Sequence, residues 1–211
     1  MDRRAVDARA NPLIRSLAGA LARSAVTPDQ ISGFSIVAAA AVPAGLFGLG
    51  GAAGALVAIA GIQLRLLANV VDGLVAVEGG KASPLGAVWN ELPDRITDSI
   101  ILVSLGYAFG TAWLGWACAL LALATAYVRL LGGALGLVQR FSGPMAKQHR
   151  MFVATVALLP AAIPALAAQA PLAMRVALAT IAAGSALTCV RRTRAIAHQL
   201  RGTRSRGATP A

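Results

Sequence analysis

The stretch NVVDGLVAVEGGKASPLGAVWNELPDRITD, Asn69–Asp98, carries five of the chain's eight acidic residues: Asp72, Glu78, Glu91, Asp94 and Asp98. Both of its ends run into apolar segments long enough to be membrane-embedded. Acids beside hydrocarbon are costly and read as a functional site by default. Gly79, Gly80 and Pro84 interrupt the stretch and let the chain reverse. Helical spacing sets Arg65, Asn69, Asp72, Gly73 and Ala76 on one side of the incoming helix, and Gly86, Asn90, Asp94 and Asp98 on one side of the outgoing one. Two antiparallel helices can then face oxygen ligands at each other near one membrane surface.

The rest of the chain supplies the setting. Of its 211 residues 57% are hydrophobic and 13% charged, against about 25% charged in a soluble domain. The apolar excess falls in blocks of roughly 17–25 residues, the length that crosses a bilayer. The fold class expected is therefore all-α integral membrane, a six-transmembrane-helix bundle with spans at about 31–49, 52–77, 86–108, 112–137, 151–168 and 171–190. Residues 1–30 form an amphipathic N-terminal segment, 31–190 the membrane domain and 191–211 a basic tail, disordered from about 200. In the N-terminal segment Pro12, Leu13, Ile14, Leu17, Ala20 and Leu21 recur at helical spacing around Arg15 and Arg23. That suits an interfacial amphipathic helix, a solvated helix being the alternative. Thr27-Pro28 reads as a capped helix start.

The formal net charge of +11 is explained by topology rather than by nucleic acid, which is not an expected partner. Loops near 50, 110 and 170 lack Lys and Arg; Lys81, then Arg140, Lys147 and Arg150, then Arg191, Arg192, Arg194, Arg201, Arg204 and Arg206 mark the others. Both termini, the acidic loop and the loop near 145 are therefore expected on the cytoplasmic side of the membrane. Cys118 and Cys189 sit in apolar runs as packing residues, and no signal peptide is expected. Gly50/Gly54, Gly106/Gly110 and Gly132/Gly136 have the spacing that permits close helix approach, in a tight bundle or a homodimer.

Carboxylates and amides without thiols or imidazoles suit Mg²⁺, Mn²⁺ or Ca²⁺. The plainer alternative is a solvated hairpin in which Asp94 pairs with Arg129 or Arg95. The spacing Asn69-x2-Asp72-Gly73-x2-Ala76-Val77-x8-Gly86-x3-Asn90-x3-Asp94 resembles the CDP-alcohol phosphatidyltransferase signature D-x2-D-G-x2-A-R-x8-G-x3-D-x3-D. All intervals agree over 26 positions, and five of eight residue types match. Thr27-Pro28-Asp29-Gln30-Ile31-Ser32 also resembles the family's "TPNxxS" opening. Asn90-Glu91-Leu92-Pro93-Asp94 and Gly143–Met151, GPMAKQHRM, resemble a bacterial branch of the family.

The resemblance implies transfer of a phosphatidyl or other substituted phosphate group. The donor would be a CDP-linked lipid such as CDP-diacylglycerol, the acceptor a small polar alcohol, and CMP would be released. It implies two Mg²⁺ or Mn²⁺ ions, held mainly at Asn69, Asp72 and Asn90, with Asp94 as the base; Asp98, outside the frame, is added to Asp94 as a metal and catalytic candidate because it lies one turn beyond it. Asp72, Gly73, Ala76 and Gly86 would meet the CDP moiety. Three positions depart from the signature: Asn69 and Asn90 replace aspartates, and Val77 replaces arginine. Asp98, one turn beyond Asp94, is expected to restore charge with the metal shifted along the helix. Lys81 or Arg95 would stand in for the arginine. Arg65, Arg129, Lys147, His149 and Arg150 are candidates for an acceptor phosphate, beside the plainer role of topology charges. A catalytically silent lipid-binding scaffold is the second reading. A transporter is disfavoured because the acids gather at one membrane face rather than at the midplane.

Overall fold

The computed structural model describes residues 11–81, 83–138 and 143–206. The first ten residues, Arg140 and the last five residues, which entered the expectations above, lie outside them. Seven α-helices follow in order: α1 (Pro12–Ala22), α2 (Pro28–Pro43), α3 (Gly51–Glu78), α4 (Gly86–Ala108), α5 (Ala112–Ala134), α6 (Lys147–Ala162) and α7 (Ala170–Arg206). A π-helical turn, Ala44–Leu49, extends α2, and a 3-10 segment, Pro164–Gln169, joins α6 to α7. Thr27 caps α2 as its sequence promised. Its hydroxyl accepts from Gln30 N at 3.2 Å, and its N–H donates to the Gln30 side chain at 3.0 Å.

Six helices close a ring. α2 packs on α3 and α4, α4 on α5, α5 on α7, α7 on α6, and α6 back on α3. α2 thus separates α3 from α4, which meet across the interior through long side chains. One end of the ring is filled by an apolar core that includes Val42, Ile62, Ile101, Leu102, Leu105, Met151, Leu158, Leu178 and Ile181. α1 lies outside the ring, seating Ala18 against Val71, Leu74 and Val75 of α3 while Leu13 stays exposed.

The closest helix approaches are built on glycine. A Cβ on Gly61 would lie 2.6 Å from Ala38 O, and one on Gly106 would lie 2.7 Å from Gly115 Cα. Of the glycine pairs singled out by spacing, Gly54 and Gly106 serve such contacts. Their mates Gly50 and Gly110 do not: they end helices at φ 64° and 72°, a conformation glycine adopts without steric penalty.

Among the described residues, four segments are long and apolar enough to cross a membrane: Pro28–Leu49, Gly51–Glu78, Ala112–Ala134 and Pro164–Arg201. The other two expected spans differ for physical reasons. α4 carries Glu91, Asp94, Arg95 and Asp98. α6 has only 16 residues, about 24 Å of rise against a hydrocarbon core of about 30 Å. The tail also departs from expectation. α7 continues without a break to Arg206, so 191–206 is helix rather than loop or disorder. Residue types read as positive-inside loop charge are good helix formers, and Arg192 ties this extension to α5 by donating to Thr125 O at 2.7 Å.

Gly106→Val should lower unfolding free energy by about 3 kcal/mol, because two backbones would have to separate. Gly48→Ala, which meets open space, should change it by less than about 0.5 kcal/mol. Thermal unfolding in detergent compares them.

Candidate active site

Opposite the apolar core, the ring's interior is charged. Arg65 of α3 is fully buried and reaches across to α4. Its Nε donates to Thr97 Oγ1 at 2.9 Å, and its Nη2 to Asp98 Oδ1 at 2.6 Å and Asp94 Oδ1 at 3.3 Å. From α6, Arg150 donates through Nη2 to the other oxygen of Asp98 at 2.8 Å and through Nη1 to Met145 O at 3.1 Å. The segment before α6 is held against α7, where Met145 N donates to Thr188 Oγ1 at 3.2 Å.

One turn nearer the Gly79–Leu85 loop, Asp94 collects a second set of donors. Asn69 Nδ2 reaches its Oδ1 at 2.7 Å and Lys147 Nζ its Oδ2 at 2.5 Å, with Arg95 at 3.6 Å. Lys147 also donates to Asn69 Oδ1. Lys147 lies in the loop-proximal first turn of α6. Asp72, buried on α3, accepts from Ser32 Oγ of α2 at 2.6 Å. The loop is strapped down separately. Lys81 donates to Ser24 O at 2.5 Å and Val26 O at 3.1 Å, and Ser83 to Asp29 at 3.0 Å.

No family model matches the chain. It is 36% identical over 128 residues to the archaetidylinositol phosphate synthase of Aeropyrum pernix, an alignment that covers 61% of this chain and only 63% of that relative's length. Solved structures of the phosphatidylinositol phosphate synthase PgsA1 of Mycobacterium tuberculosis share its architecture. The form with CDP-DAG bound gives a TM-score of 0.69 at 24% identity, covering 88% of this chain and 94% of that one. The form in complex with manganese and citrate gives 0.68 at 24% identity over 87% and 88%. The apo form gives 0.65 at 26% identity over 85% and 93%. The chain has the fold of these phosphatidylinositol phosphate synthase structures and is homologous over 128 residues to the archaetidylinositol phosphate synthase.

Within that fold, the two faces of the signature frame meet. Asn69 and Asp94, its first and last positions, are in direct contact. Asn90 is exposed, as is Val77. Lys81 is taken by the α1–α2 turn and Arg95 by Glu91 and Asp94, so neither stands free to replace an arginine at 77. Arg129, expected beside Asp94 or at an acceptor phosphate, donates to Glu91 at 2.5 Å. Arg65 and Arg150, expected at an acceptor phosphate, are instead buried on Asp98. His149 is exposed. Gly73 and Ala76 lie on α3 and Gly86 at the start of α4. Ser32, Thr97 and Thr125 were missed; the "TPDQIS" resemblance drew attention to the segment holding Ser32 but not to its bond with Asp72.

These donors do not fit a pair of divalent ions. Asp98 has a guanidinium on each oxygen, so it cannot lend its charge to a shifted metal as expected. Arg65 Nη1 and Arg150 Nε, buried without an acceptor among the described residues, are themselves donors. Among those residues no group of three His, Cys, Asp or Glu is arranged to hold a metal.

Asp98→Asn should lower stability by about 3–5 kcal/mol, since it leaves two buried guanidinium groups short of their counter-charge. The readout is thermal unfolding. Glu91→Gln, which weakens a partly exposed pair (30% side-chain exposure), should cost about 1 kcal/mol or less.

Proposed function

We propose that this chain transfers a substituted phosphate group from a CDP-linked lipid, CDP-diacylglycerol in the first instance, to a small hydroxyl acceptor, releasing CMP. The observation that carries the reading is the contact of Asn69 with Asp94, which joins the two ends of the 26-residue frame in one cluster. The homology to an archaetidylinositol phosphate synthase and the fold shared with a CDP-DAG-bound synthase support it. Both relatives' names favour an inositol phosphate as acceptor over other polar alcohols.

In this reading Asp94 accepts the proton of the acceptor hydroxyl. Asn69 and Lys147 hold its carboxylate in place, so that base and hydroxyl meet in a fixed geometry. The hydroxyl oxygen bonds to the lipid-side phosphorus, the bond from that phosphorus to the bridging oxygen breaks, and CMP leaves. Asp72, Gly73, Ala76 and Gly86 approach the nucleotide. A divalent ion belongs to the reading, because a structural neighbour is in complex with manganese.

We also infer six spans. α4 buries Asp94 and Asp98 in the ring interior and pairs the part-exposed Glu91 with Arg129 and Arg95, and the 3-10 segment after α6 adds about 12 Å of rise. α1 then lies in the interface with Leu13 and Leu17 toward lipid, and the acidic loop faces the cytoplasm of a bacterial inner membrane.

CMP release from CDP-diacylglycerol by the purified chain in detergent, with inositol phosphate, glycerol 3-phosphate or no acceptor, tests this. Asp94→Asn should reduce release by at least about 100-fold while CDP-lipid binding is retained. Absence of both CMP release and CDP-lipid binding in folded protein would overturn the assignment.

A further inference from the structure

We propose that the Lys147 ammonium is a built-in cation that takes one of the two divalent-ion positions expected between α3 and α4, so that this chain binds at most one divalent ion. The proposal deepens the reading of the site as a phosphotransferase centre and rests on that reading for its consequences in turnover. Its geometric basis is separate. Nζ of Lys147 bridges Asn69 Oδ1 and Asp94 Oδ2, oxygens from the first and last positions of the frame. A metal ion linking α3 to α4 through those oxygens would have to occupy the same place.

Charge points the same way. The linked cluster around the frame holds four carboxylates among the described residues: Asp72, Glu91, Asp94 and Asp98. It holds five cationic side chains: Arg65, Arg95, Arg129, Lys147 and Arg150. Two divalent ions would add four positive charges to a cluster that is already net positive, in a setting where water screens little. Asparagines at 69 and 90 keep oxygen donors but remove the carboxylates that a second ion would need. An ammonium carries half the charge of that ion and is held with the chain, so it needs no free metal. Asp72 is the one carboxylate of the cluster without an ion pair among the described residues; its partner is the Ser32 hydroxyl. It remains the natural anchor for a single divalent ion.

The test counts Mn²⁺ bound to the purified chain in detergent, without substrate, by equilibrium dialysis and by the loss of the free-ion electron paramagnetic resonance signal. Wild type should take up no more than one equivalent. Lys147→Ala and Lys147→Gln, both uncharged, should gain one equivalent or bind Mn²⁺ at least 10-fold more tightly, and Lys147→Arg should match wild type. Circular dichroism establishes which variants are folded, and either neutral variant is sufficient. Two equivalents on wild type, or no gain in a folded neutral variant, would overturn the proposal. CMP release measured on the same samples separates the two readings. If metal counts behave as stated but no sample releases CMP, the phosphotransferase assignment fails and the ammonium assignment stands.

Discussion

A carboxylate held between two guanidinium groups is the constraint on which the ring depends. Asp98 of α4 receives Arg65 from α3 and Arg150 from α6, and all three side chains are buried. None of these charges is tolerable alone in a low-dielectric interior. Each helix therefore requires the other two at fixed height and rotation. Pairing that strict sets the register of three segments, one turn of α4 away from Asp94 and its contacts. The apolar core at the other end supplies burial but little register, because Leu, Ile, Val and Met exchange places at modest cost.

The same triad explains why neighbouring acids have different duties. Asp98 and Asp94 lie one turn apart and look alike in sequence. Asp98 is spent on structure. Asp94, one turn nearer the loop, takes Asn69 and Lys147 in addition to the guanidinium groups of Arg65 and Arg95. Asp72 accepts from the Ser32 hydroxyl and has no ion pair among the described residues.

Much of this was legible in the sequence because it is local. The apolar blocks mark six of the helices, Thr27-Pro28-Asp29-Gln30 spells a capping box, and the fixed spacing of Asn69 to Asp94 puts its members on facing sides of two helices. What could not be read is what depends on neighbours. In hydrocarbon the outer face of a helix is as apolar as its inner one, so the pattern of α6 does not say that it closes the ring against α3. Arg65 and Arg150 were visible as cations, but a cation's partner is a property of the ring and not of the segment. Asp98 was expected to help a metal for the same reason: its two guanidinium partners come from positions 33 and 52 residues away. The helical run of α7 past Val190 was hidden because arginines at a membrane edge look like a loop.

The wide separation of Asp98 from Arg150 has a consequence for synthesis. A ribosome delivers α2, α3, α4 and α5 before it delivers α6. During that interval α4 is already in place with Arg65, while the second guanidinium is still to be made. The ring is open between α3 and the missing helix, and the side of Asp98 that Arg150 will cover faces whatever fills the gap. The insertion machinery or lipid headgroups must shelter an incomplete charge pair until α6 arrives, and arrival of Arg150 both neutralises it and shuts the ring. Lys147, three residues ahead of Arg150 on the same helix, is delivered to Asp94 by that same closing step, so the interior gains its structural lock and its resident cation together.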